Sequence, residues 1–255
     1  MTHRAAPEIL LGILPIALIL ALWQALASFG MAPPALLPPP MAVFRRLVEQ
    51  LGNPIFLQHT FTTLLRLFAG FAIACLVGVT LGLMASSSRV AESAIRPIVR
   101  VLAPVPKIAL SPAFILILGF DHASKIALVA ADALFPILLA TYQGAVSVEP
   151  KLVWSALAAG TTRRKALLTV VLRAALPSVL TGCRIGLVIS CIVVFLAEMI
   201  SSTDGLGHLL VYASRSFETV DMYVPLITIS LLALSLNAGF NAPRPRLLAG
   251  YPEAE

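Results

Sequence analysis

The stretch "TTLLRLFAGFAIACLVGVTLGLM", Thr62 to Met84, decides what kind of fold this chain can adopt. A bilayer hydrocarbon core of about 30 Å is crossed by roughly 20 apolar residues in a helix, and this run is long enough. Its small residues Gly70, Ala74, Gly78 and Gly82 recur every four positions. On a helix that spacing gathers them on one face, where they allow a second helix to approach closely. The segment is therefore predicted to be a lipid-embedded helix, and its small-residue stripe reads as a packing face, not as a ligand site.

Composition points the same way. The chain has 255 residues, 59% hydrophobic and 12% charged, with a mean hydropathy of +0.95. A soluble domain carries about a quarter charged residues, so lipid must solvate much of this chain. The net charge is +6. Stacking aromatics do not interleave with the basic residues, which excludes nucleic acid as a partner. Cys75, Cys183 and Cys191 are odd in number and lack framework spacing, so they read as small buried hydrophobes. His3, His59, His122 and His208 have no ligand-like spacing, and neither metal nor cofactor is expected.

Working outward, six spans are predicted. The first is Ile9 to Phe29. Its charged start (His3, Arg4) and Ala25-Leu26-Ala27 resemble a secretory signal, but its apolar run exceeds a signal's core and more spans follow, so it reads as uncleaved. "MAPPALLPPP", residues 31–40, is too proline-rich for a helix interior, and a short amphipathic piece follows at Val43 to Leu51. After the Thr62 to Met84 span comes a discontinuous third one. Pro104, Pro106 and Pro112 break whatever precedes the short run Ile108 to Phe120, so a helix starting near Ile98 or Pro106 is expected. Ser124 to Val146, Ile185 to Ser201 and Met222 to Ala238 complete the set. The implied organisation is a short terminus at 1–8, a transmembrane domain at 9–240 and a polar tail at 241–255.

The charges orient this bundle. One set of loops holds twelve basic residues: Arg4, Arg89, Arg96, Arg100, Lys107, Lys151, Arg163, Arg164, Lys165, Arg173, Arg244 and Arg246. The opposite set holds Arg45, Arg46, Lys125 and Arg215, with Arg66 and Arg184 at span ends. The positive-inside rule places both termini in the cytoplasm.

The longest cytoplasmic connection is about 147–181. "EPKLVWSALAAG", residues 149–160, reads as a short helix with proline near its start and Gly160 as its terminator. Thr161 or Thr162 can cap a second helix from Arg163 to about Leu176, with Leu167, Leu168, Val171, Leu172 and Ala175 at helical spacing. Pro177 then ends or kinks it. Such a helix–glycine–helix elbow suits docking to another protein. Its basic residues could equally fix topology or meet anionic headgroups.

The loop resembles the signature of inner-membrane permease subunits of ABC-type importers, carried here by Ala156, Gly160, Val170, Leu172, Leu176 and Pro177. "LRLFAGFAIACLVGVTLGLMASSSR", "PVPKIALSPAFILILGF", "SKIALVAADALFPILLATYQG" and "AEMISSTDGLGHLL" are similar to the nitrate/sulfonate/taurine branch, in order and over roughly residues 35–240. The resemblance implies an all-α integral membrane fold of six transmembrane helices, like the type I importer permeases. It implies a homodimer in the bacterial inner membrane, serving a cytoplasmic ATPase subunit and an external substrate-binding protein. The elbow would be the coupling helix, with Ala156, Ala159, Gly160, Thr161, Thr162, Arg163, Arg164 and Pro177 at or near the ATPase contact. No G-x-x-x-x-G-K-[ST] phosphate loop occurs, so ATP hydrolysis by that route belongs to another chain. Three positions depart from the pattern: Trp154 where a glutamate is usual, Arg173 where a proline is common, and "PRPR" in a tail that is usually helical.

Two acids fall within spans, where a charge costs about 2.5–3.5 kcal/mol at mid-depth. Glu198 lies near the external end of the fifth span, where the family commonly has an acid near the mouth of the translocation path. Asp132, near the centre of the fourth, is unusual for the family and could pair with Lys125 or with another helix. Both are candidates for the translocation path. Two rivals follow: a secondary transporter using Asp132 or Glu198 to carry a coupling proton, and an intramembrane enzyme, for which no nucleophile–base pair is visible. A sulfonate, nitrate or similar oxyanion is the solute that the resemblance implies, with vitamin precursors as an alternative.

Overall fold

The computed structural model describes residues 5–29, 33 and 36–251. The charged start (His3, Arg4), parts of the proline-rich stretch and residues 252–255 lie outside them. Every regular element among the described residues is helical. Helix α1 is Ala5–Ser28, interrupted in composition by Pro15. The amphipathic piece is α2, Pro40–Leu51. Among the described residues four helices are long and apolar enough to cross a bilayer: α3 (Pro54–Ser87), α6 (His122–Val146), α10 (Leu176–Ser201) and α12 (Thr219–Asn241).

The third span is broken, as the prolines require. Helix α4, Arg89–Leu102, is followed by a 3₁₀ turn at Lys107–Leu110 and by α5, Ser111–Leu118. The two parts are bent by 83°. Lys107, counted above as a loop charge, is buried in this break at 6% exposure.

Helix α3 starts earlier than its apolar run. Pro54 occupies the first turn and the Asn53 side chain accepts from Ile55 N, a strong helix start. With 34 residues it is about 51 Å long, and Phe56 and Thr63 are the buried residues of its first turns. The Thr60 hydroxyl donates back to the Phe56 carbonyl at 2.9 Å. Arg66, assigned to a span end, is instead an interior residue at 2% exposure.

The small-residue stripe of α3 lies on α6. A Cβ on Gly70 would meet Val129 Cβ at 2.6 Å, one on Gly78 would meet Leu134 O at 3.0 Å, and one on Gly82 would meet Thr141 Cβ at 2.7 Å. Val129, Ala133 and Ile137 of α6 are wholly buried there. On its other side α6 meets α10, where a Cβ on Gly182 would lie 2.7 Å from that of Ala140. Cys75 and Cys183 bring α3 and α10 together, their sulfurs 3.7 Å apart as free thiols. Helix α10 begins at Leu176 and not near Ile185, because Pro177 sits in its first turn, where a missing N–H removes no helical bond.

Gly82→Val should lower the thermal midpoint of the detergent-solubilised protein, since overpacking costs about 1–3 kcal/mol. Gly239→Val, at a position with open space around it, should change it little. Equal midpoints for the two variants would contradict the close α3–α6 contact.

Candidate functional site

The elbow is built by local chemistry. Helix α7, Pro150–Ala158, ends where Thr161 N donates to Ala156 O and Gly160 N to Leu157 O, both at 3.0 Å. This termination needs a left-handed residue after the cap, and Gly160 supplies it at φ +83°. Of the two candidate caps it is Thr162 that acts, its hydroxyl accepting from Lys165 N at 3.4 Å. Ala159, Gly160, Thr162, Arg163, Arg164 and Lys165 are exposed, and Ala156 and Thr161 half-buried. Trp154 is 66% exposed beside them.

The inner side of the elbow is apolar. Ala166, Val171 and Ala175 are buried, and Val153, Leu167 and Leu172 pack on a cluster that contains Leu83, Ala133, Ile137 and Ala145. The loop is thus rooted in the α3–α6–α10 slab while its polar side faces outward. The expected second helix is not uniform. It runs as α8 (Arg163–Ala166), a π turn (Leu167–Val171) and α9 (Leu172–Ala174). Pro177 has no N–H for the Arg173 carbonyl, and the Tyr251 hydroxyl donates to that oxygen at 2.6 Å. Arg244, the first residue of helix α13 (Arg244–Leu247), donates to Thr181 Oγ1 at 2.7 Å. The tail therefore crosses the root of the elbow, and only the missing donor at Pro177 hinted that its carbonyl needed a partner.

A buried charge cluster closes the opposite end of the slab. Arg66 Nη1 donates to Glu198 Oε1 at 2.9 Å, with the two side chains 2% and 0% exposed. Thr63 Oγ1 and Gly207 N also donate to this carboxylate, at 2.9 and 3.1 Å. Arg66 further reaches Asp204 Oδ1 at 2.5 Å and donates from Nε to His122 Nδ1 at 3.1 Å. Gly205, at φ +93°, begins helix α11 (Leu206–Arg215), and a Cβ there would strike the Glu198 carboxylate. Burial raises the Asp204 carboxyl, but hydrogen bonds from Arg66 and Ser202, with the charges of Arg66 and His122, outweigh it and hold the group below its ordinary value.

The other intramembrane acid, Asp132, is 25% exposed and lies 3.5 Å from Lys107 Nζ. Lys107 also donates to Ala103 O at 2.8 Å and sits 4.3 Å from the centre of the Phe135 ring. Of the pairings open to Asp132, that with another element is realised. Lys125, placed among the loop charges above, is buried at 1% and donates to the Phe120 carbonyl. Arg66 and Lys107 are the residues that sequence reasoning missed: the first sits at a predicted span end and the second counts as a loop charge, and neither has a local acidic partner to mark it.

An all-helical bundle of membrane-length spans, a rooted elbow facing outward at one end and a charge cluster at the other define a polytopic membrane protein. Residues 74–242 match the binding-protein-dependent transport system inner membrane component family, and the chain belongs to that family. It is 29% identical over 253 residues to the taurine transport system permease protein TauC of Escherichia coli, covering 97% of this chain and 92% of the relative. With the aliphatic sulfonates transport permease protein SsuC of Bacillus subtilis, described as putative, it shares 30% identity over 87% of this chain and 80% of the relative. The formylaminopyrimidine transport permease protein ThiX of Halalkalibacterium halodurans is 28% identical over 85% of this chain and 86% of its own length. An inward-facing structure of the MetNI methionine ABC transporter shares the fold, with a TM-score of 0.67 at 17% identity, covering 76% of this chain and 96% of that one.

Arg66→Met strands Glu198 without its cation and should destabilise the protein by about 3–5 kcal/mol. Glu198→Gln should cost less, because Arg66 keeps Asp204 and Ser202. The reverse order in a thermal-shift comparison would contradict the assigned network. Because the Asp204 carboxyl is lowered, its contribution is present above the unfolded-state value and lost as pH falls through the folded one. Asp204→Asn should accordingly flatten the acid side of the stability–pH curve.

Proposed function

We propose that the chain is the membrane-spanning subunit of an ATP-driven importer and works as a homodimer with two copies of a cytoplasmic ATPase and an external binding protein. The observation that carries this reading is the elbow. Its exposed side, Ala159 to Arg164, is available to a partner, and its apolar root belongs to the cluster that joins α3, α6 and α10. A push on the elbow therefore moves the slab. ATP binding would draw two elbows together, turning the spans from inward to outward access, and hydrolysis on the separate subunit would reset them. The basic excess at the elbow end supports cytoplasmic termini, with 1–8 and 241–255 flanking a transmembrane domain at 9–240 and a coupling loop at about 147–181.

The two acids take different parts in this cycle. Glu198, sealed between Arg66, Thr63 and Gly207, holds the external ends of α3, α10 and α11 in register at the mouth of the path. Asp132, partly exposed beside Lys107, is the candidate for meeting the solute. Both acids are ion-paired, which disfavours the ion-gradient alternative, since a coupling proton needs an acid free to exchange. The likeness to permeases named for taurine and aliphatic sulfonates supports a small sulfonate or a similar oxyanion as the solute.

Co-purification with the ATPase, followed by uptake in proteoliposomes, tests the elbow. Gly160→Pro should abolish uptake while the permease still inserts. Trp154→Ala should weaken ATPase retention at least about tenfold, as for an interface tryptophan. Arg163→Ala with Arg164→Ala should reduce retention in correctly oriented protein; a change of orientation alone would assign these arginines to topology. Unchanged ATPase binding and uptake across all of these variants would overturn the proposal.

A further inference from the structure

We propose that the groove between α4 and α6 binds an anionic phospholipid, with an acyl chain between the helices and the headgroup on Arg96 and Arg100. A cavity of about 220 Å³ lies there, lined by Ile95, Val99, Leu138 and Leu139, by the two arginines and by the paired Glu92 and Tyr142. It is too small to enclose a whole amphiphile, while both arginines at its edge are exposed. A chain can enter and leave its head at the rim.

The setting of α4 selects this occupant. The helix turns 83° from the segment that follows it, so where that segment enters the apolar layer, α4 runs along its surface. Its level is set by Tyr142, one turn before the end of α6, at a depth where aromatic hydroxyls meet the interface. Val90, Ile98 and Val101 are 81%, 56% and 66% exposed, while Arg89, Arg96 and Arg100 gather on another face. That division is the mark of a helix lying in a headgroup layer.

The charge balance favours an anion. The one acid of α4, Glu92, is engaged: it accepts from the Tyr142 hydroxyl at 2.7 Å and lies 3.6 Å from Arg96. Arg100 has no acidic side chain at ion-pair distance among the described residues. A second copy seated on this patch about a two-fold axis would bring arginines against arginines. A soluble anion would leave the apolar walls uncovered. A lipid phosphate with its chain satisfies both parts of the groove.

The test is native mass spectrometry of the full-length protein in detergent, titrated with phosphatidylglycerol and with phosphatidylcholine of matched chains. The wild type should retain phosphatidylglycerol preferentially. Replacing Arg96 and Arg100 by glutamine should weaken it about fivefold per residue, without affecting phosphatidylcholine. Leu139→Trp, at a partly exposed wall position, should displace both lipids with the thermal midpoint retained. Equal retention of the two lipids by the wild type would overturn the proposal. So would displacement by glycerol phosphate at matched concentration, which would mark a free-phosphate site, or an Ile98→Cys cross-link between two copies that forms regardless of added lipid. The assay contains no ATPase, so its failure is independent of the importer reading.

Discussion

At Gly70, Gly78 and Gly82 the backbone of α3 comes so near α6 that a side chain on α3 would collide with it, and α10 presses on the other side through Gly182. In lipid the hydrophobic effect does not drive helices together, and close van der Waals contact must do so instead. These three helices form a slab held by close contact along its length. The elbow is rooted at one end of that slab and the Arg66–Glu198 cluster closes the other. In the proposed cycle a displacement applied at either end would be shared by the whole.

Charges supply the register that packing alone leaves degenerate. A glycine stripe repeats every turn, so a helix displaced by one turn would find nearly the same contacts. Arg66 has one set of partners, Glu198, Asp204 and His122, and a one-turn slip would strand it without them. The same reasoning applies where Lys107 meets Asp132. The broken third span has few backbone bonds across residues 103–106, and the buried lysine joins the break to α6 through its ammonium group, the Ala103 carbonyl and the Phe135 ring. Unpaired, either cation would be expelled from the bundle.

What the sequence revealed is what is local. The stripe on α3, the glycine that turns the elbow, the threonine cap and the proline-broken third span each depend on neighbours within a few residues, and each is found where expected. The partners of Arg66 and Lys107 lie in other elements, so single-chain reading left Arg66 at a span end and counted Lys107 as a loop charge. Helix ends were also misjudged where the chain is less apolar: α3 begins at Pro54, eight residues before its predicted run at Thr62, and α10 begins well before its own. The π turn at Leu167–Val171 and the Tyr251 hydroxyl on the Arg173 carbonyl arise from tertiary packing, and no periodicity marks them. The imbalance of basic residues survives removing Lys107 and Lys125 from the count, so the orientation argument is unaffected by their burial.

The claim that one rigid slab carries motion from elbow to charge cluster is tested most directly by distance measurements between copies. Spin labels at Thr162 and, separately, at Tyr212 would be compared with and without ATP in the complete transporter, after replacing Cys75, Cys183 and Cys191. Both distance distributions should shift together with ATP, and both should stay fixed in Gly160→Pro. An ATP-dependent change at Thr162 with none at Tyr212 would show that the slab does not transmit the elbow's displacement.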